Sequence, residues 1–163
     1  MLQGIVYKST GSWYLVKSKN NFFECRIKGK IRLKDISTTN PIAVGDLVEF
    51  EMESNGKGVI SDILPRVNYI IRKSVNLSKQ YHIIASNIDI SVLVVTLNNP
   101  ITSTNFIDRF LVSCEAYDIP VIIAFNKKDT YIDKESDEIE KLINTYRAIG
   151  YKCELISAKY GDR

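Results

Sequence analysis

Apolar residues keep two different rhythms along this chain. Up to about residue 65 they alternate with polar residues in five short runs: Gln3–Lys8 (QGIVYK), Trp13–Lys17 (WYLVK), Phe22–Ile27 (FFECRI), Leu47–Met52 (LVEFEM) and Val59–Leu64 (VISDIL). Thr10-Gly11-Ser12, Lys19-Asn20-Asn21, Gly45-Asp46 and Asn55-Gly56-Lys57-Gly58 punctuate them. Period-two runs of β-branched and aromatic residues between turn-forming clusters predict strands. Five strands in so short a stretch predict a small barrel or sandwich, and the OB-fold is the five-stranded barrel of this size that holds oligonucleotides.

From Ile88 the rhythm changes. Ile88–Leu97 (IDISVLVVTL) reads as a buried strand, and Thr104–Asp118 spaces Phe106, Ile107, Phe110, Leu111, Cys114 and Tyr117 as one face of a helix that Pro120 follows. Val121–Phe125 is the next strand. Glu135–Ile149 is an amphipathic helix, with Ile139, Leu142, Ile143, Tyr146 and Ile149 on one face, acids in its first turn and Gly150 after it. Cys153–Ile156 makes a third strand. The order β-α-β-α-β predicts half of a doubly wound parallel sheet, whose ligand loops sit at the carboxyl ends of the strands. The expected fold is therefore two-domain, an all-β OB barrel over 1–65 and an α/β region over 88–163. Residues 66–87 are read as a connecting segment.

Composition leaves this picture standing. With 45% apolar and 25% charged residues the chain has the make-up of an ordinary globular protein. No apolar run approaches the ~20 residues of a membrane helix, and no signal-peptide pattern opens the chain. Cys25, Cys114 and Cys153 are odd in number and lack metal-ligand spacing, so they read as reduced residues of a cytoplasmic protein. His82, the only histidine, has no nucleophile or second ligand beside it in sequence and reads as structural or exposed.

Charge adds a candidate partner. Lys8, Lys17, Lys19, Arg26, Lys28, Lys30, Arg32 and Lys34 face a single acid, Glu24, over the same stretch. These cations interleave with Tyr7, Trp13, Tyr14, Phe22 and Phe23, the mixture that single-stranded nucleic acid binds. Most of those rings are expected to fill the core of so small a barrel, leaving one or two for a ligand.

Chemistry concentrates at two predicted strand ends. Asn126-Lys127-Lys128-Asp129 fits Asn-Lys-x-Asp. A carboxylate such as Asp129 can accept from both the ring N–H and the exocyclic amine of guanine, Asn126 can donate and accept, and the Lys127 stem can lie across the base. A pocket built around those donors rejects adenine. One unit later comes Ser157-Ala158-Lys159, which in GTPases brings a backbone N–H to the guanine carbonyl and a second lysine stem over the base. Phosphates have no counterpart. Gly11–Ser18 (GSWYLVKS) imitates a phosphate loop with valine at its second glycine, but Trp-Tyr-Leu-Val is a strand and cannot converge its N–H groups on an anion. The 163 residues contain no Asp-x-x-Gly either.

A basic barrel ahead of base-reading loops that precede any phosphate loop resembles the RsgA (YjeQ) family of circularly permuted, small-ribosomal-subunit-dependent GTPases. The likeness runs through GIVYKSTGSWYLV, FFECRIKGKIR, VGDLVEF, ILPRVNYIIRKS, SNIDISVLVV, FIDRFLVSCEAYDIPVIIAFNKKD and LISAK. It implies GTP hydrolysis to GDP and phosphate with Mg²⁺, stimulated by the small ribosomal subunit during its late maturation. It also implies barrel contacts to rRNA near the decoding region. Asn126, Lys127, Asp129, Ser157, Ala158 and Lys159 carry over as base-contacting positions. The family's phosphate loop, switch residues and zinc-binding C-terminal domain match nothing here, so the chain is expected to be an N-terminal portion, inactive alone and monomeric. The alternative is a stand-alone RNA-binding OB module with a non-functional GTPase remnant.

Overall fold

The computed structural model describes residues 1–27, 41–73 and 81–161, which divide into two compact units, Met1–Ile88 and Asp89–Arg163. In the first unit β1 (Leu2–Thr10), β2 (Trp13–Ser18), β3 (Asn21–Ile27), β4 (Leu47–Met52) and β5 (Gly58–Ile63) form a closed barrel in the order β1-β2-β3-β5-β4. Closure comes from antiparallel pairing of β1 with β4, and β3 runs parallel to β5, an OB-like arrangement. Val6, Tyr14, Val16, Cys25, Ile42, Val48, Phe50 and Ile60 fill the interior. The stretch that imitates a phosphate loop is the β1–β2 turn followed by β2 itself.

The aromatic residues depart from expectation. Tyr14 is buried and Phe23 half-buried, but Tyr7, Trp13 and Phe22 remain 49%, 43% and 52% exposed. Valines, isoleucines and Phe50 already pack the small interior, and a bulge between Val6 and Lys8 turns Tyr7 and Lys8 both outward.

Residues 66–87 hold more than a connection. Tyr69–Lys73 (β6) and Tyr81–Ser86 (β7) pair antiparallel, and an isolated parallel bridge joins Val44 to Ala85. A two-stranded hairpin is marginal alone; here it is fastened to the residues before β4. The fully buried Asp46 carboxylate accepts from Arg66 Nε (2.6 Å) and Nη2 (2.6 Å), from Ser86 Oγ (2.5 Å) and from the Ala43 amide (2.8 Å). Gly45, at φ +91°, packs so close to the Ser86 backbone that a Cβ would collide with its carbonyl oxygen. Asn68 fastens the far end through Ile88, donating to its carbonyl (2.9 Å) and accepting from its amide (2.6 Å).

The second unit is a three-stranded parallel sheet in the order β10-β9-β8, from Ser91–Val95 (β8), Val121–Phe125 (β9) and Lys152–Leu155 (β10). Helices α1 (Thr104–Glu115) and α2 (Asp133–Ala148) send Ile107, Leu111, Ile139, Ile143 and Tyr146 into one core with Leu93, Val95, Ile123, Phe125 and Cys153. The Ser103 hydroxyl caps α1 by accepting from the Phe106 amide. Two residues expected on core faces lie outside. Phe106 is exposed against Phe110, and Ile149 is the residue after the last turn of α2, where the chain has left the helical path.

Candidate functional site

The carboxyl ends of the parallel strands carry the candidate base-reading residues, where the crevice of an α/β sheet takes ligands. Asn126 follows β9, and its amide donates to the Val95 carbonyl (2.8 Å), extending the sheet by one rung. Lys127 adopts a left-handed conformation, φ 71°, which turns the chain into the 3-10 segment Lys128–Thr130. The Ile156 amide donates to the Phe125 carbonyl and the Lys128 amide to the Ile156 carbonyl, joining the loop after β9 to the loop after β10.

Two side-chain bonds bring the two triplets together. Ser157, buried, donates from Oγ to Asp129 Oδ1 at 2.6 Å, and Asn126 Oδ1 accepts from the Ala158 amide at 2.9 Å. Ser157 thus holds the carboxylate in place through Oδ1. The Ala158 N–H, expected to face a base carbonyl, is engaged by Asn126, and with Oδ1 so committed the Asn126 carboxamide has its Nδ2 donor left to offer. Lys127 Nζ donates to the Asn99 carbonyl, and Lys159 lies 4.8 Å from the Tyr160 ring centroid. All six candidate residues therefore sit in adjoining loops.

Sequence spacing alone missed a second layer around this site. The Tyr131 hydroxyl donates to the Asn126 carbonyl (2.5 Å) and accepts from the Leu97 amide (3.2 Å), and Asn98 donates to Glu135 (2.5 Å). Burial pushes the Tyr131 phenol above its ordinary pKa, so it remains a proton donor at neutral pH. The available signal was the position of Asn98-Asn99 just past β8, the third strand end in the row.

On the barrel, the described candidate cations are dispersed. Lys17 spans an edge-to-face pair formed by Tyr7 and Phe22 (centroids 5.3 Å apart), its Nζ 5.4 and 5.8 Å from the two rings. Lys8 and Lys19 are exposed, whereas Arg26 is paired with Glu53 at 2.7 Å. Lys57, from the acidic stretch, sits 4.2 Å over Trp13. Lys28, Lys30, Arg32 and Lys34 lie outside the described residues.

A barrel of OB type joined in sequence to a parallel β-α-β-α-β unit, with guanine-type loops and no phosphate loop before them, is the make-up of a circularly permuted GTPase. Residues 63–163 match the family model of the RsgA GTPase and residues 3–60 that of the RsgA N-terminal domain. The chain belongs to the RsgA family. It is 60% identical over 164 residues to the small ribosomal subunit biogenesis GTPase RsgA of Christiangramia forsetii, covering 98% of this chain and 52% of that protein. It is 54% identical to RsgA 2 of Bacteroides thetaiotaomicron, with the same coverage. Among solved structures it superposes on YjeQ from Thermotoga maritima with a TM-score of 0.76 at 30% identity, covering 99% of this chain and 53% of that one. YloQ, a circularly permuted GTPase, gives 0.70 at 34%, covering 98% and 52%. The chain spans about half the length of the relatives it matches. No helix among the described residues is long and apolar enough to cross a membrane.

Proposed function

We propose that this chain supplies the guanine-reading and RNA-contacting parts of a GTPase that acts in small-ribosomal-subunit biogenesis, converting GTP to GDP and phosphate in the cytoplasm as a monomer. The observation that carries this reading is the pair of bonds tying Asp129 to Ser157 and Asn126 to Ala158 across two strand-end loops. Asp129 accepts from the ring N–H and exocyclic amine of guanine, Asn126 donates to the base edge, and the stems of Lys127 and Lys159 flank its plane. These donors and acceptors fit guanine; they offer nothing to phosphate or Mg²⁺. Those contacts, which supply most of the catalysis in phosphoryl transfer, require a Gly-rich loop that the 163 residues do not contain. Zinc, which the family resemblance assigns to a further domain, has no proposed ligand here. On the barrel, Tyr7, Phe22 and Trp13, with Lys17 and Lys57 beside them, are proposed to meet rRNA through stacking and charge.

The test is Asp129→Asn in the full-length protein. GDP affinity should fall at least ~100-fold, because two hydrogen bonds to a charged acceptor are lost, and xanthosine diphosphate should gain. RNA binding should be unchanged by Asp129→Asn but weakened, with a shallower salt dependence, by Lys17→Glu. Undiminished GDP binding by the Asp129 variant would sink the base-reading role. The 163-residue chain alone should hydrolyse no GTP, and micromolar GDP binding to it in a calorimeter would contradict the division of the site.

A further inference from the structure

Three consecutive residues past β8 each hold a partner on the base-reading side of the sheet. The Leu97 amide donates to the Tyr131 hydroxyl, Asn98 donates to Glu135, and the Asn99 carbonyl accepts from Lys127. Tyr131 is the centre of this latch, because its one hydroxyl also donates to the backbone carbonyl of Asn126 at 2.5 Å. Asn126 is thereby held at three points, its amide by Val95, its carbonyl by Tyr131 and its Oδ1 by Ala158. We propose that Tyr131 is a positioning residue for guanine recognition: through Asn126 it presets the base-reading loop, with residues 97–99 as the latch that closes on it.

The physical argument is preorganisation. The loop leaves β9 through Lys127, a non-glycine residue at φ 71°, a conformation that surrounding contacts must hold. Side chains that touch a ligand are worth most when their geometry is set before it arrives. Tyr131 sits at the far end of the 3-10 segment from Asn126, so its bond back to the Asn126 carbonyl closes the turn that carries Lys127 and Asp129. Glu135 supports the same closure from α2, accepting Asn98 on Oε1 and the Ile132 amide on Oε2. None of these groups needs to touch the nucleotide.

The inference rests on the guanine-reading role of Asn126 and Asp129, and its test separates the two. In the full-length protein, binding of a fluorescent GDP analogue is measured at 25 °C for Tyr131→Phe, Asn98→Asp, Asn126→Ala and the Tyr131→Phe/Asn126→Ala pair, alongside thermal melts. Tyr131→Phe removes one hydroxyl and should weaken GDP ~5- to 10-fold. Asn98→Asp sets a carboxylate against Glu135 and should weaken GDP in the same direction. The Tyr131 effect should shrink by at least threefold in the Asn126→Ala background, a non-additivity that a role in stability alone does not produce. Melting temperatures lowered with GDP affinities within twofold of wild type would overturn the inference, as would strict additivity. If Tyr131→Phe does not fold, Asn98→Asp carries the comparison, paired with Asn126→Ala in the same way. Failure of Asp129→Asn to change base selectivity overturns the guanine reading and the inference with it. A selectivity change there with no Tyr131 or Asn98 effect overturns the inference alone.

Discussion

Replacing Asp46 by alanine should come close to unfolding the barrel unit. The carboxylate is 0% exposed and accepts four hydrogen bonds, two from the Arg66 guanidinium, whose side chain is itself only 8% exposed. Asp46→Ala strips that cation of its counter-charge, leaving its Nη2 bonded to the Pro41 carbonyl at 3.0 Å, and takes an acceptor from Ser86 and from the Ala43 amide. Removing one member of a buried ion pair costs about 3–5 kcal/mol, a large share of the ~5–15 kcal/mol that stabilises a domain. The orphaned neutral donors act in the same direction but do not add in full, since the site relaxes once for all of them.

Urea unfolding followed by the fluorescence of Trp13, the single tryptophan and a β2 residue, reads the barrel directly. Asp46→Ala should lower its unfolding free energy by at least ~3 kcal/mol at unchanged slope. The double variant Asp46→Leu/Arg66→Met, which removes both charges, should be more stable than Asp46→Ala by ~1 kcal/mol or more, because apolar side chains replace a buried ion pair at little net cost. A loss under ~1 kcal/mol for Asp46→Ala, or single effects that simply add, would refute the account of Asp46 as the point where three chain segments are held.

Two further outcomes follow from the same unit. Gly45→Ala forces a Cβ against the Ser86 carbonyl at a φ of +91°, and should lower the Trp13 unfolding midpoint sharply, whereas Gly56→Ala, whose added Cβ meets nothing within 4 Å, should cost only its backbone strain. Burial pushes the Cys25 thiol from its ordinary 9.0 to about 11. The fold favours the protonated thiol, so its contribution is complete below pH 9 and declines as pH rises towards about 11. Barrel stability measured across that interval should slope downward by up to ~1.4 kcal/mol per pH unit, and Cys25→Ala should remove that share of the slope.

What could be read in the chain followed the range over which each interaction acts. Alternation along β1–β5, the helical faces of α1 and α2, and the two candidate base-reading triplets are all written within a few residues and are legible there. In the sequence Asp46 is only part of a Gly-Asp turn, because its partners Arg66 and Ser86 lie 20 and 40 positions away. The β6–β7 hairpin looked like a connection for the same reason: its fastening to Val44 and Gly45 runs over some 40 residues. Lys8, two residues after the buried Val6, faces outward because a one-residue bulge shifts the phase of β1, which no period-two count records. The bonds from residues 97–99 to Tyr131, Glu135 and Lys127, the proposed latch, join positions 28 to 37 apart. A triplet spacing therefore picks out the residues proposed to meet a base, while the residues proposed to hold those side chains ready come from whichever strand end the fold puts beside them. For this chain that neighbour is the loop after β8, where Leu97, Asn98 and Asn99 are bonded to Tyr131, Glu135 and Lys127.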